Sequence, residues 1–383
     1  MSRRQIQVTY IHIDLDSLCS AVLLAYFRTQ TPPHTLHIPL SNLPRADLAL
    51  RPELGAILRP TGLQPDDLLT LSDLPKDGLR LENTRWFLVD HNAPTGDIAG
   101  QFTSASPGTT NLLVGCIDHH DDEGTVPSNV GLRVLAKSGS CMSLVVGHCR
   151  SAWDSLPPRS DPSSSPSPDE ISSQLAHLAL GPILIDTTNL KSKDRTTDWD
   201  VGAAEFAESK ISDGSYSRTA YFDEITRLKE DISGLSYRDI LRKDYKRWAD
   251  GGLALGISSV VQGVGYLTTE LGSKGQFLDE VKGWAKEQRL DIAAVMTTSK
   301  PEGRFTRELL VWAFGEDAVK VVRQFVKRNG EALGLESWKG GDLDSDGAPR
   351  EELRVCWTQR EVKHSRKQVA PMLRETMKDA AKL

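Results

Sequence analysis

Apolar positions along the chain fall into two series of alternating strand and helix signals. In the first series, residues 8–13 form an apolar run that predicts a strand, and apolar periodicity over 18–27 predicts a helix behind it, with Ser17 as its N-cap. A short strand is expected at 36–39, a turn or short helix at 65–67, and a strong strand at 86–89. The run Leu112-Leu113-Val114 predicts a further buried strand that ends at Asp118, and a helix is expected over 142–153. Residues 175–185 are almost continuously apolar, but Gly181-Pro182 interrupts them and leaves helix and strand both open. The segment 216–248 is charged, and its apolar positions Tyr237, Ile240, Leu241, Tyr245 and Trp248 follow helix-face spacing. Strands at 253–261, 290–297, 309–314 and 353–357 then alternate with helices at 276–289 and 318–329, and a closing helix starts at Val369 or Pro371. The pattern predicts an α/β fold: an N-terminal domain over 1–212 built on a parallel sheet, and a smaller C-terminal α/β domain over 217–383. The Ser/Pro-rich stretch 155–173 cannot build a core and is expected to be a disordered insertion.

The polar residues at the strand ends carry candidate chemistry. Asp14 and Asp16 flank the first strand-to-helix turn, where residues at i and i+2 can point the same way. Asp90-His91-Asn92 follows the strand at 86–89, and Asp118-His119-His120-Asp121 closes the run from Leu112. Strand ends of an α/β sheet are where sites are built, and carboxylate with imidazole is ligand chemistry for Mn²⁺, Mg²⁺ or Zn²⁺. Each end alone also reads as a polar loop or an acidic helix start favoured by the dipole, but three in one sheet do not arise readily by chance. Asp186 lies at the polar end of the segment 175–185. The small residues Gly139-Ser140-Cys141 either offer backbone N–H groups to an anion or simply start a helix. Arg238, Arg242, Lys243, Lys246 and Arg247 lie mostly off the apolar face of 216–248, and Ser365-Arg366-Lys367-Gln368 sets adjacent cations at a helix start. Both read either as solvated basic surface or as clamps for phosphate oxygens.

Composition narrows the setting. With 39% hydrophobic and 26% charged residues, the 383-residue chain fits a soluble globular protein. The net charge of −6 argues against a general nucleic-acid binder, while leaving room for a local basic groove. Five cysteines without a CxxC spacing do not make a disulfide framework or zinc knuckle and fit a reducing compartment. The N-terminus lacks an apolar signal core and no apolar run reaches about 18 residues, so a cytoplasmic protein with no membrane partner is expected.

Taken in order, Asp14-Leu15-Asp16-Ser17, Val89-Asp90-His91-Asn92, Asp118-His119-His120 and Ile185-Asp186-Thr187 resemble the four motifs of the DHH-superfamily phosphoesterases. In the second half, Asp244-Tyr245-Lys246 and Ser365-Arg366-Lys367-Gln368 resemble the second type of DHH-associated domain. That arrangement belongs to family II inorganic pyrophosphatases, eukaryotic exopolyphosphatases and prune-like proteins. Gly139-Ser140-Cys141, Asp118-His119-His120-Asp121 and the stretch 44–52 lean toward the fungal exopolyphosphatases. The resemblance implies an active site in the cleft between the two domains. It implies two divalent metal ions there, Mn²⁺ or Mg²⁺, with Asp90 bridging, Asp14 helping to hold the first, and Asp16, His119 and Asp186 the second. His120 and Asp90 would be catalytic, His120, Lys246, Arg366, Lys367 and Ser140 would contact substrate phosphates, and Asp118 would orient its neighbours. The implied reaction is release of terminal phosphate from inorganic polyphosphate by a metal-activated hydroxide. Prune-like hydrolysis of short polyphosphates or nucleotides, and a catalytically weakened interaction protein, are the alternatives. One position departs from the pattern. Four residues before the first aspartate, pyrophosphatases carry a histidine and exopolyphosphatases and prune-like proteins an asparagine; here Tyr10 stands there, with His12 nearby.

Overall fold

The structure, a computed structural model, describes residues 6–11, 14–74, 84–93, 113–156, 167–346 and 351–380. The chain divides into two units, Met1–Lys229 and Glu230–Leu383, each with its own sheet and core. The first unit runs β1 (Ile6–Ile11), α1 (Leu15–Gln30), β2 (His37–Ser41), α2 (Pro52–Leu58), β3 (Leu69–Thr70), β4 (Thr84–Val89), β5 (Leu113–Asp118), β6 (Leu132–Leu135), α3 (Cys141–Asp154), α4 (Pro168–Asp186), α5 (Asp198–Glu208) and α6 (Arg218–Glu230). Its strands lie in the order β3-β2-β1-β4-β5-β6, and every pair is parallel. The chain therefore winds outward from β1 to β3, returns to the other side of β1 at β4, and winds outward again to β6. The carboxyl ends of β1 and β4 form the switch point where doubly wound sheets bind ligands. The polar residues following β1, β4 and β5 all fall on that edge.

Sheet strands buried on both faces read as continuous apolar runs. In β4, Phe87 and Val89 join Ile117 against α1, α3 and α4, while Trp86 and Leu88 join Leu40 and Cys116 on the other face. Gly115 permits this packing, because a Cβ there would stand 2.2 Å from the Phe87 ring. The ambiguous segment 175–185 is helix α4, whose Leu178, Leu180, Ile183 and Leu184 are buried and which carries Pro182 inside it. The same helix corrects the expected insertion. Ser167 caps α4 in a capping box with Glu170, and Pro168 takes the first helical position, so order begins within the stretch 155–173. Residues 157–166 of that stretch lie outside the described residues.

The second unit runs α7 (Tyr237–Lys243), β7 (Tyr245–Asp250), β8 (Leu253–Val260), α8 (Val264–Thr269), α9 (Lys274–Glu287), β9 (Ile292–Ser299), β10 (Thr306–Phe314), α10 (Glu316–Leu333), β11 (Leu335–Ser337), β12 (Ser345–Asp346), β13 (Glu352–Gln359) and α11 (Arg366–Ala380). Its sheet has the order β11-β13-β10-β9-β8-β7, with β12 on β13, and is antiparallel except for the pair β8–β9. The helical run expected over 216–248 splits into α6, α7 and a strand. Gly251 and Gly252, at φ 60° and 80°, make a two-residue hairpin turn that pairs Asp250 with Leu253 and turns β7 into an edge strand. That turn, rather than the helix-like spacing of Tyr245 and Trp248, decides the local structure. Helix α6 packs Tyr221 and Ile225 into the core of the first unit. No helix among the described residues is long and apolar enough to cross a membrane.

Candidate active site

The site starts at the N-terminus of α1. Asp14, not Ser17, is the N-cap: its Oδ1 accepts the Ser17 N–H at 3.0 Å and the Ser17 hydroxyl at 2.9 Å. An aspartate at this position reaches the orphan N–H of the third helical residue, which is why it outcompetes a serine already inside the turn. The Ser17 hydroxyl also lies 2.5 Å from Asp90 Oδ2, so one proton serves two carboxylates. Asp90 follows β4 with a left-handed φ of 63°, fixed by its own N–H on the Ile117 carbonyl at 2.9 Å. Strain of this kind persists where the surroundings over-determine it. Asp90 is 3% exposed, and its Oδ1 has no hydrogen-bond partner among the described residues. His119 Nε2 approaches that oxygen to 3.2 Å and His120 Nδ1 to 4.0 Å, neither completing a hydrogen bond. One ligand atom each from Asp90, His119 and His120 fits within 4.8 Å.

The loop after β5 orients both imidazoles. His119 Nδ1 lies 3.0 Å from the Ser138 carbonyl; donating there turns Nε2 toward Asp90. Asp118 is fully buried and accepts from Asn92 Nδ2 at 2.5 Å, from the His119 and His120 backbone N–H groups, and from His120 Nδ1 at 2.8 Å. Burial alone would raise the Asp118 carboxyl, but the hydrogen bond and charge of His120, with Asn92, outweigh it and hold the group down at about 2. His120 thus commits Nδ1 to Asp118 while its ring stays 55% exposed, which leaves Nε2 available. Asn92 also donates to the Asp121 carbonyl and accepts from the Glu123 N–H, tying the whole loop to β4. Its place two residues after Asp90 was visible in the sequence; its role as the strut of the histidine loop was not.

Asp16 has a different place. It is buried, and Ser140 Oγ, the Met142 N–H and Ser20 Oγ donate to Oδ1 while the Cys141 N–H donates to Oδ2. The anion that the N-terminus of α3 receives is therefore the protein's own Asp16. Asp14 is exposed and caps its own helix, so the two aspartates serve different helices rather than one direction. Ser140 is wholly buried, and its hydroxyl holds Asp16 rather than facing an open site. Asp200, which no sequence signal singled out, completes this corner. Fully buried, it accepts from the N–H groups of Gly139, Ser140 and Thr197 and from the hydroxyls of Ser143 and Thr197.

Asp186 is the last residue of α4, a helix end rather than a strand end, and is half-buried. Burial pushes its carboxyl well up, the negative charge of Asp16 adds to that, and the Lys229 cation opposes it. Burial likewise raises Asp90 well above the carboxylate range, with Asp14 and Asp16 adding to the effect. For Asp16, burial raises the group and the charge of His119 works against it. Burial disfavours a charged His119, yet the close Asp90 carboxylate and the charge of Asp16 carry it up to about 10. Asp14, Asp16, Asp90 and Asp186 thus form a set of repelling carboxylates, and one buried oxygen of Asp90 lacks a hydrogen-bond donor among the described residues. Oxygen-rich donors with imidazole in this state match a divalent cation. Lys229, at the end of α6, is a member that the sequence did not flag, since no motif marks it. Tyr10 lies in β1 between Leu40 and Leu88; its side chain and His12 are outside the described residues.

The three predicted cations of the second unit gather at one corner. Lys246 on β7 and Lys367 in the first turn of α11 are exposed, and neither has an ion pair among the described residues. Arg366 is engaged: Nη1 donates to the Asp244 carbonyl at 2.8 Å and Nη2 to Asp244 Oδ1 at 2.7 Å. It clasps the start of α11 to the corner that precedes Lys246. Ser365 and Gln368 fix the same turn through the Ser365 N–H and hydroxyl on Gln368 Oε1.

Comparison with known proteins gives the family and the fold. A DHHA2 domain family model matches residues 223–376. A Schizosaccharomyces pombe protein assigned as an exopolyphosphatase is 32% identical over 376 residues, covering 96% of this chain and 89% of that protein. Exopolyphosphatase PRUNE1 of Bos taurus is 25% identical over 290 residues, 74% of this chain and 57% of the relative, so the chain spans little more than half of that protein. The crystal structure of a Methanococcus jannaschii protein assigned as a family II inorganic pyrophosphatase superposes with a TM-score of 0.56 at 20% identity, covering 97% of this chain and 99% of the other, which shows a shared fold. Fold and site together define a phosphoesterase of the DHH superfamily. The chain belongs to that superfamily, and its C-terminal part matches the DHHA2 domain.

Proposed function

We propose that this metal-dependent phosphoanhydride hydrolase removes terminal orthophosphate from inorganic polyphosphate. The observation that carries the reading is the buried Asp90 Oδ1, without a hydrogen-bond donor among the described residues and facing His119 Nε2 at 3.2 Å inside a cluster of repelling carboxylates. The name of the S. pombe relative supports the substrate. Asp90, Asp14, Asp16, His119 and Asp186 would together hold two divalent ions, Mg²⁺ or Mn²⁺, with Asp14 on the side of the first and Asp16, His119 and Asp186 on that of the second. Such ions supply Lewis acidity and neutralise charge on the transferring phosphoryl group. The chain's own residues do the rest. Asp118 holds the Nδ1 proton of His120, so that Nε2 is presented outward, where it can hydrogen-bond a phosphoryl oxygen or pass a proton. Ser17 and the Asp90 backbone bond keep the Asp90 carboxylate in place. Ser140 positions Asp16. Lys246 and Lys367 bind phosphate oxygens of the chain, and Arg366 sets their spacing through Asp244 while keeping N–H donors for the same anion.

Orthophosphate release from polyphosphate and from pyrophosphate, measured with Mg²⁺ or Mn²⁺, tests the reading. Polyphosphate should be shortened from its end, and faster than pyrophosphate is cleaved. No release above background by the folded protein would overturn it. Lys246→Ala should raise KM about tenfold with little change in kcat, because it removes a contact made to ground and transition state alike. A collapse of kcat at unchanged KM would place Lys246 at the reacting phosphoryl group instead. Tyr10 supports a second reading, a catalytically weakened interaction protein. A large gain in activity for Tyr10→Asn would favour it.

A further inference from the structure

We infer that Lys191, Lys193 and Arg195 form a polyanion track on the first unit that holds phosphates of the substrate chain beyond the one being cleaved. This rests on the polyphosphatase reading and adds a binding element to it. The three cations lie in the loop that links Asp186, at the end of α4, to α5. Its first turn is strained: Thr188, Asn189 and Leu190 have φ of 54°, 56° and 60°, left-handed backbone that costs non-glycine residues about 1 kcal/mol or more each. The turn is pinned at both ends. The Asn189 N–H donates to the Leu184 carbonyl at 2.7 Å, the Leu190 N–H to Thr187 Oγ1 at 3.0 Å, and the Ser192 N–H to the Thr187 carbonyl at 3.0 Å. The Thr197 N–H and hydroxyl are held by Asp200.

The loop also rests on the strip that orients the histidines. A Cβ on Gly139 would stand 2.7 Å from Thr187 Cγ2 and 2.8 Å from the Arg195 carbonyl oxygen, and the neighbouring Ser138 carbonyl is the partner of His119 Nδ1. With its backbone fixed from below, the loop leaves Lys191, Lys193 and Arg195 exposed. Elsewhere in this unit Lys137 pairs with Asp121, Lys210 with Asp154 and Arg218 with Glu208. None of the three loop cations has an ion pair among the described residues, although Asp194 and Asp198 are exposed beside them. A rigid backbone carrying unpaired cations, contiguous with a carboxylate of the site, is pre-organised for a ligand that brings its own line of negative charge.

The test is the triple variant Lys191→Ala, Lys193→Ala, Arg195→Ala, compared with wild type and with Lys191→Arg, Lys193→Arg, in which the charge is kept. For long-chain polyphosphate the alanine variant should raise KM about tenfold, the sum of three exposed charge contacts, with kcat and tripolyphosphate kinetics unchanged. Fluorescence anisotropy with labelled long-chain polyphosphate, without divalent metal, should show weaker binding and a shallower salt dependence, by about two to three ions. The arginine variant should match wild type in both. Unchanged KM and binding, or equal losses on long and short substrates, would overturn the track. So would a loss in the arginine variant accompanied by a fall in melting temperature. If wild type hydrolyses no polyphosphate, the functional reading fails, and the binding measurement still decides the track.

Discussion

Two polar corners of the first unit are built from the same kinds of residue and behave in opposite ways. At the N-terminus of α3, Asp16 and Asp200 are both buried, and each accepts several donors, among them Ser140, Cys141, Met142, Gly139, Ser143 and Thr197. At the mouth of β4 and β5, Asp90 is as deeply buried, yet one of its oxygens has no hydrogen-bond donor among the described residues while two imidazoles converge on it. Burial of a carboxylate costs several kcal/mol unless donors compensate. The first corner meets most of that cost with the protein's own donors; the second leaves more of it unmet, as a corner suited to a ligand does.

The sharpest way to break the comparison is at Asp90. Asp90→Ala should lower kcat by about a thousandfold or more, since it removes a carboxylate that would hold the ion at the reacting phosphoryl group. The same variant without metal should melt no lower than wild type, because it deletes a buried, repelling charge. Adding Mn²⁺ should raise the melting temperature of wild type and not of the variant, as mass action on a lost site requires. A variant that still hydrolyses phosphoanhydrides at the wild-type rate would end the assignment. Asp200→Ala should do the reverse, costing about 3 to 5 kcal/mol in urea unfolding through five stranded donors. A loss below about 1 kcal/mol would mean that water replaces the carboxylate easily. Gly139→Ala should cost about 1 to 3 kcal/mol, because the added methyl meets a backbone oxygen that cannot step aside.

The smallest effect sharpens what an orphaned atom means. His37 Nδ1 is also buried and without a hydrogen-bond partner among the described residues. Burial, together with the Arg28 cation, brings this imidazole down to about 4 rather than up. His37 is therefore neutral in the fold near pH 7. Because its folded value lies below the unfolded value of about 6.5, the unfolded chain binds the extra proton. Its contribution to stability is full above pH 6.5 and is lost as pH falls toward 4. Urea unfolding should show about 1 to 2 kcal/mol less stability at pH 5 than at pH 7, and His37→Gln should flatten that slope. An equally steep slope in the variant would assign the effect to other groups.

The apolar runs before Asp14, Asp90 and Asp118 were enough to predict a parallel sheet with acid and histidine at its strand ends. That much is local: a run of buried residues ends where polar residues begin, and the carboxyl edge of such a sheet is where they collect. The motif order also marked Lys246, Arg366 and Lys367, which the fold gathers at one corner of the second unit. What the local pattern misread was set by short-range competition it did not weigh, as when Gly251-Gly252 makes a strand of residues spaced like a helix, or Asp14 takes the cap from Ser17. The division of labour among carboxylates was decided only by tertiary structure. Asp16 meets its donors Ser140, Cys141 and Met142 across 124 to 126 residues, and Arg366 meets Asp244 across 122. A carboxylate's chemistry depends on how many donors surround it, and no neighbouring residue in the chain records that number.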